Sequence, residues 1–220
     1  MADSSESVAL WLWENTDDIW NEIQEHPFLV ELEAGELPDE KLKFYFEQNA
    51  QYVDAVYRCR LVAAAKAPDE ATFDLLTRDW NLEPSEDRQW RLLEMFGGDR
   101  DSCPPMAPAC RGYTYHMWYN ALAGRTVDWL ASFVACPWTY DMIGRKISGN
   151  IGEERREDWM EFYGSQRHHD LMDDFRGALD RLSVGLDTKD REGLLENWRL
   201  GMKYEWMFWD DAYHLRGWPV

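Results

Sequence analysis

Along most of the chain apolar residues recur at spacings of three and four, and strictly alternating apolar and polar runs are scarce, so the pattern predicts helices rather than strands. A first helix is predicted over residues 5 to 24, ending before His26-Pro27 because proline disfavours the α conformation in the residue before it. The segment LPDEK opens a second: Pro38 and Asp39 start it, acids fill its first turn, and it runs to about Ala67, ahead of Pro68. A third spans about Asp69 to Phe96 and stops at Gly97-Gly98. After a loop at 99 to 109 with three prolines, helix resumes near Ala109 and continues to Ala123, stops at Gly124 and restarts at Thr126. It breaks again at Cys136-Pro137 and restarts to about Ile147; the last two helices cover roughly Glu153 to Leu182 and Thr188 to Leu215. With no internal repeat and no low-complexity tract, the expectation is one domain over residues 1 to 220, an all-α bundle of seven to eight helices.

Two polar residues interrupt apolar stripes. In the second helix the stripe is Leu42, Tyr45, Phe46, Tyr52, Val53 and Val56, and Asn49 falls on it. In the last helix Glu205 stands among Leu194, Trp198, Gly201, Phe208, Trp209 and Ala212. A carboxylate on an inward face must be paired, hydrogen-bonded or protonated, because leaving it charged and alone costs several kcal/mol. Glu205 is therefore either half of a structural contact, for instance with a tyrosine on a facing helix, or a proton donor whose pKa is raised by apolar surroundings.

Proline suits the first position of a helix, which makes Cys136 the expected N-cap of the helix after the break. A thiol there would face unpaired backbone N–H groups and the positive end of the helix dipole, both of which favour thiolate. Tyr140, one turn on, shares its face. That setting suits a nucleophile, although cysteine is also a common buried filler.

Composition narrows the function classes. The 220 residues are 45% hydrophobic, enough for one sizeable core. The formal net charge is −19, and 6 of the 23 basic residues are lysine; a field of that sign repels phosphate backbones, so no nucleic-acid partner is expected. The acid-rich, lysine-poor balance resembles that of salt-adapted proteins. The first dozen residues lack the positive charge and long apolar core of a signal peptide, and no segment approaches about 18 uninterrupted apolar residues, so a soluble, cytoplasmic protein with no membrane partner is expected. Cys59, Cys103, Cys110 and Cys136 form no CxxC pair or zinc-like spacing. Cys59 reads as core packing, and a Cys103–Cys110 disulfide across SCPPMAPAC is disfavoured in a reducing cytosol. Candidate metal ligands are His168, His169, Asp210 and His214, the last two spaced i, i+4. A di-iron bundle wants several inward Glu and His residues on at least three helices, so no metal is expected. His168-His169 reads as a solvated face in an acid-rich segment, and His26 as a helix-end contact.

Four segments, in order and compatibly spaced over nearly the whole chain, are similar to the TenA family, the thiaminase II group of the haem-oxygenase-like helical fold. They are HPFLVELEAGELPDEKLKFYFEQNAQYV, GYTYHMW, ACPWTYDMIG and KYEWMFWDDAYHLRGW. The resemblance implies hydrolysis at the aminopyrimidine methylene: an aminopyrimidine, or thiamine itself, is converted to hydroxymethylpyrimidine without a cofactor. It implies that Cys136 is the nucleophile and that Glu205 handles a ring-nitrogen proton. Tyr52, Tyr113, Tyr140 and Tyr163 would line the pocket, and Phe208 would pack against the pyrimidine. It further implies a homotetramer, for which the 13 tryptophans leave ample aromatic surface. One departure stands out, since Asn49 occupies a position where the family usually has aspartate. An amide carries no charge but offers an acceptor and two donors, which points to reduced activity or a shifted substrate. The rival readings are a metal-dependent oxidase of the same fold and a regulator without chemistry, the latter opposed by the net charge wherever DNA contact is required.

Overall fold

The computed structural model describes residues 7–78, 85–147 and 154–220. Among the described residues every regular element is an α-helix, eleven in all. They are α1 (Val8–Glu14), α2 (Asp17–Gln24), α3 (Pro27–Glu33), α4 (Asp39–Ala64), α5 (Glu70–Thr77), α6 (Ser85–Met95), α7 (Pro108–Ala123), α8 (Thr126–Ile147), α9 (Glu154–Gly164), α10 (Gln166–Leu182) and α11 (Thr188–His214).

The count exceeds seven to eight because three expected helices divide and one was missed. The first divides at Thr16, whose hydroxyl turns back to the Trp13 carbonyl at 2.7 Å and competes with the helix ladder. The long segment ending at Leu182 divides at Ser165, whose Oγ accepts from the His168 N–H at 3.2 Å and starts α10. The division between α5 and α6 lies at residues 79–84, outside the described residues. Helix α3 was missed because Pro27 reads as a stop, yet proline is equally suited to open a helix. His26 completes that start, its Nδ1 accepting from the Phe28 N–H at 3.1 Å, so it is the helix-end contact expected.

The opposite correction applies at Cys136-Pro137, where no break occurs. Helix α8 runs without interruption from Thr126 to Ile147 with Pro137 inside it, so Cys136 lies mid-helix and is not an N-cap. An internal proline removes one helical hydrogen bond and costs about 3 kcal/mol. Burial on both sides of it, by Leu130, Val134 and Ala135 before and Trp138 and Ile143 after, outweighs that cost.

Helices α8 and α11 form the most extensive pair in the bundle, with α4 and α7 packed together alongside and α6, α9 and α10 closing the rest. The paired helices meet at Gly201, where a Cβ would sit 3.1 Å from the Ser132 carbonyl oxygen and 3.3 Å from the Ala135 Cβ. A tighter approach joins α8 to α9: a Cβ on Gly144 would fall 2.6 Å from the backbone at Tyr163 and Gly164. Large aromatic side chains fill the interior, with Trp129, Trp159, Trp198 and Trp209 fully buried and Tyr45 stacked on Trp209 at 5.1 Å between ring centroids.

Gly144→Ala should force α9 away from α8 and lower stability by about 2 to 3 kcal/mol, as overpacking against backbone does. Urea unfolding checks this as a reduced midpoint at unchanged slope.

Candidate active site

A cavity of about 110 Å³ opens between α4, α6, α8, α9 and α10, walled by Asn49, Tyr52, Gln89, Cys136, Tyr140 and Tyr163 together with apolar side chains such as Val56, Phe133 and Phe175. Each polar wall residue sits on an otherwise apolar helical face, so the core packing that forms the bundle also aims it inward. Five of the eight sequence-predicted site residues, Asn49, Tyr52, Cys136, Tyr140 and Tyr163, therefore share one cavity. The other three, Tyr113, Glu205 and Phe208, are buried beside it and are not part of its wall.

Glu205 and Cys136 nevertheless act on each other. The Glu205 side chain, 2% exposed, has its carboxyl pushed up to about 7 by loss of water, while the Cys136 thiol and the Tyr113 hydroxyl pull it back down. The Cys136 thiol is raised well above its ordinary value, first by burial and then by the charge on Glu205, with the Tyr52 and Tyr113 hydroxyls opposing. This corrects the expectation of a thiolate at a helix N-terminus. In mid-helix the backbone N–H groups serve the helix ladder, so burial decides and the resting sulfur keeps its proton. No cation among the described residues pairs with Glu205.

Aromatic contacts hold the tyrosines in place. The Tyr45 and Tyr140 hydroxyls share a hydrogen bond of 2.5 Å, and the Tyr140 ring lies 4.7 Å from that of Tyr163 and 5.2 Å from that of Trp209. The Tyr52 ring packs 5.1 Å from Tyr113, which stacks on Tyr204 at 5.3 Å. Phe208 presents its edge to Tyr45 and Tyr52 at 5.6 and 6.0 Å. The Tyr113 hydroxyl is buried with no hydrogen bond of standard geometry, close enough to Glu205 to shift its titration.

Sequence reasoning missed two polar walls. Gln89 is 4% exposed and accepts from Asn49 Nδ2 at 2.6 Å. The signal that singled out Asn49 was present here too, since Gln89 shares a stripe with Leu92, Leu93 and Phe96. His168 overturns its reading as a solvated side chain: α10 packs on α8 and buries it to 3% exposure, with Nε2 at 3.0 Å from the Pro137 carbonyl oxygen and burial lowering its pKa. His169 stays partly exposed, its Nδ1 at 3.2 Å from Asp141 Oδ2. Asp210 meets His214 at 3.0 Å and also Arg216. Among the described residues no three His, Cys, Asp or Glu side chains gather into a group able to hold a metal ion.

The remaining cysteines are free thiols. Cys59 is buried and accepts from Trp129 Nε1 at 3.4 Å, as core packing requires. Cys103 and Cys110 bond to two different carbonyls, those of Glu47 and Gln48. No helix among the described residues is long and apolar enough to cross a membrane.

The pattern of the TENA/THI-4/PQQC family matches residues 13–215. An aminopyrimidine aminohydrolase of Bacillus subtilis is 27% identical over 199 residues, covering 88% of this chain and 84% of that protein. The TenA homologue from P. horikoshii OT3 superposes with a TM-score of 0.84 at 23% identity, covering 95% of this chain and 99% of the other. Haem oxygenase-1 of the cyanobacterium Synechocystis, solved with haem, superposes with a TM-score of 0.68 at 13% identity, covering 94% and 92%. The last two likenesses establish a haem-oxygenase-like fold.

The folded protein keeps a proton on Glu205 up to about pH 7, whereas the unfolded chain releases it near 4.5. Stability contributed by this group is complete below the lower value and is lost as pH rises through the window between them. Glu205→Gln, which does not titrate, should therefore gain stability relative to the parent by about 3 kcal/mol between pH 4 and pH 8. Urea unfolding of both proteins across that range checks the sign.

Proposed function

The chain belongs to the TENA/THI-4/PQQC family, and on that premise we propose that it is an aminopyrimidine aminohydrolase of the thiaminase II type. Its substrate is an aminomethyl-aminopyrimidine or thiamine, and its product hydroxymethylpyrimidine. The observation that carries this reading is the mutual influence of the Cys136 thiol, in the aromatic-walled cavity on α8, and the Glu205 carboxyl, buried beside that cavity on α11. The name of the Bacillus subtilis relative supports it.

The chemistry follows from the protonation states. With a carboxyl near pKa 7 beside a protonated thiol, one group can take a proton while its neighbour gives one up. The Cys136 thiol gives its proton to the Glu205 carboxylate as sulfur adds to a pyrimidine ring carbon and forms a C–S bond. Glu205 passes that proton on to a ring nitrogen, from which it returns when the ring is released. The electron pair released by the ring expels the amine or thiazole from the exocyclic methylene. Water then adds to that methylene, and the C–S bond breaks as the ring regains its aromaticity and the sulfur its proton. Tyr52, Tyr113, Tyr140 and Tyr163 hold ring and thiol in register, Phe208 packs toward the pyrimidine face, and Asn49 meets its polar edge. No step calls for a cofactor, and the reduced thiol that the reaction needs fits a cytoplasmic setting.

Exposed aromatic surface supports assembly into a homotetramer. Tyr115, Tyr119 and Leu122, at i, i+4 and i+7 on α7, are 60%, 69% and 66% exposed, and neighbouring α4 adds Leu61 at 53%. Large apolar side chains in one stripe mark an interface more often than a solvated face.

Cys136→Ala should lower turnover of thiamine and of aminomethyl-aminopyrimidine by about a thousandfold or more, followed as hydroxymethylpyrimidine by chromatography. Undiminished product in the alanine variant would defeat the covalent route. Tyr119→Glu should shift the particle to a smaller species in light scattering, with its helical circular dichroism unchanged.

A further inference from the structure

Asn49, Gln89 and Tyr163 line the cavity, and each carries a group able to act in either hydrogen-bonding sense. Asn49 Nδ2 donates to Gln89 Oε1 at 2.6 Å. Burial raises the Tyr163 hydroxyl above its ordinary value, and the Gln89 amide lies near enough to oppose that shift, without a hydrogen bond of standard geometry. Reversing both amides together preserves the bond between them, with Gln89 donating to Asn49. Amide orientation follows the hydrogen-bond network rather than the shape of the group, so the pair has two self-consistent settings. Arg88, itself part of the cavity wall, acts on the Tyr163 oxygen as a charge, and so do Cys136 and Glu205. Arg88 is compatible with both settings, because that oxygen can accept from a guanidinium whichever way its own proton points.

The two settings present different faces to the cavity. In one, Asn49 leaves its oxygen open and offers an acceptor; in the other it leaves its N–H groups open and offers donors. A carboxylate at the same place could only accept. We propose that the hydrogen-bonded Asn49–Gln89 pair is a reversible recognition element that lets the cavity take neutral pyrimidines bearing either an exocyclic amine or an exocyclic carbonyl. The ligand class thereby extends from aminopyrimidines to the matching oxopyrimidines. The inference rests on the reading that this cavity binds a pyrimidine, and it gives Gln89 the role of a specificity-determining residue.

The test is a set of tryptophan-fluorescence titrations at pH 8 with 4-amino-2,5-dimethylpyrimidine and its 4-oxo counterpart. The parent protein is compared with Asn49→Asp and Gln89→Glu, each first confirmed as folded by circular dichroism. The parent should bind the two ligands within about tenfold of one another. Asn49→Asp should keep the amine and lose the carbonyl ligand by about tenfold or more, the cost of a buried acceptor facing an acceptor. Gln89→Glu should do the same through Asn49, because an accept-only side chain holds Asn49 in its donating setting and leaves only its oxygen open. The readout is a ratio of affinities, which a general loss of stability does not move. A parent preference for the amine of a hundredfold or more overturns the proposal, and so does a ratio unchanged in Gln89→Glu. Absence of binding by both ligands overturns the pyrimidine reading and this inference with it.

Discussion

Loss of water around Glu205 is the constraint on which the candidate site depends. A carboxyl 2% exposed with no cation beside it cannot hold a full charge at neutral pH, so it titrates near 7 instead of in the ordinary carboxylate range. Cys136 is only half-buried, facing the cavity, and there loss of water together with the charge on Glu205 favours the protonated thiol. The two groups thus stand as a coupled acid pair in which neither is ionised in full, and a proton moving on either is felt by the other. An Arg or Lys near Glu205 would lower its pKa and free the thiol from much of its burden, but it would remove the proton that a ring nitrogen needs.

Keeping that pair dry is the work of the aromatic interior. Tyr45, stacked on Trp209 and bonded to Tyr140, transmits the rigidity of the core to the cavity wall. Tyr113, held between Tyr52 and Tyr204, does the same behind Glu205. These side chains have few rotatable bonds and large buried areas, so they hold position at low entropic cost. The tyrosines also bring hydroxyls, which tune the titration of Cys136 and Glu205 without adding charge.

Much of this was legible in the chain. Helical periodicity identified the all-α class, and the rule that a polar residue on an apolar stripe requires an explanation found both Asn49 and Glu205. That rule also applies to Gln89, which shares an apolar stripe with Leu92, Leu93 and Phe96. Proline misled in both directions: Pro27 opens a helix where a stop was expected, and Pro137 sits inside one where a break was expected. Local propensity cannot decide such cases, because the cost of one lost hydrogen bond is small against the burial of a whole helix face. The protonation of Cys136 was beyond local reading for the same reason, since it depends on α11, some seventy residues further along the chain. His168 was misread because acidic neighbours on α10 suggested solvent, while the packing of α10 on α8 was not visible from sequence.

Gly201 gives the bundle a gauge. It lies one turn before Glu205 on α11, and it touches α8 at Ser132 and at Ala135, the residue next to Cys136. The approach of α11 to α8 at this point is therefore set by the absence of a methyl group. Any side chain there would act as a shim, pushing α11 and α8 apart by a few tenths of an ångström beside the sulfur. The fit of the two most extensively paired helices thus turns on one missing side chain, a constraint that no polar or aromatic residue of the interior reveals.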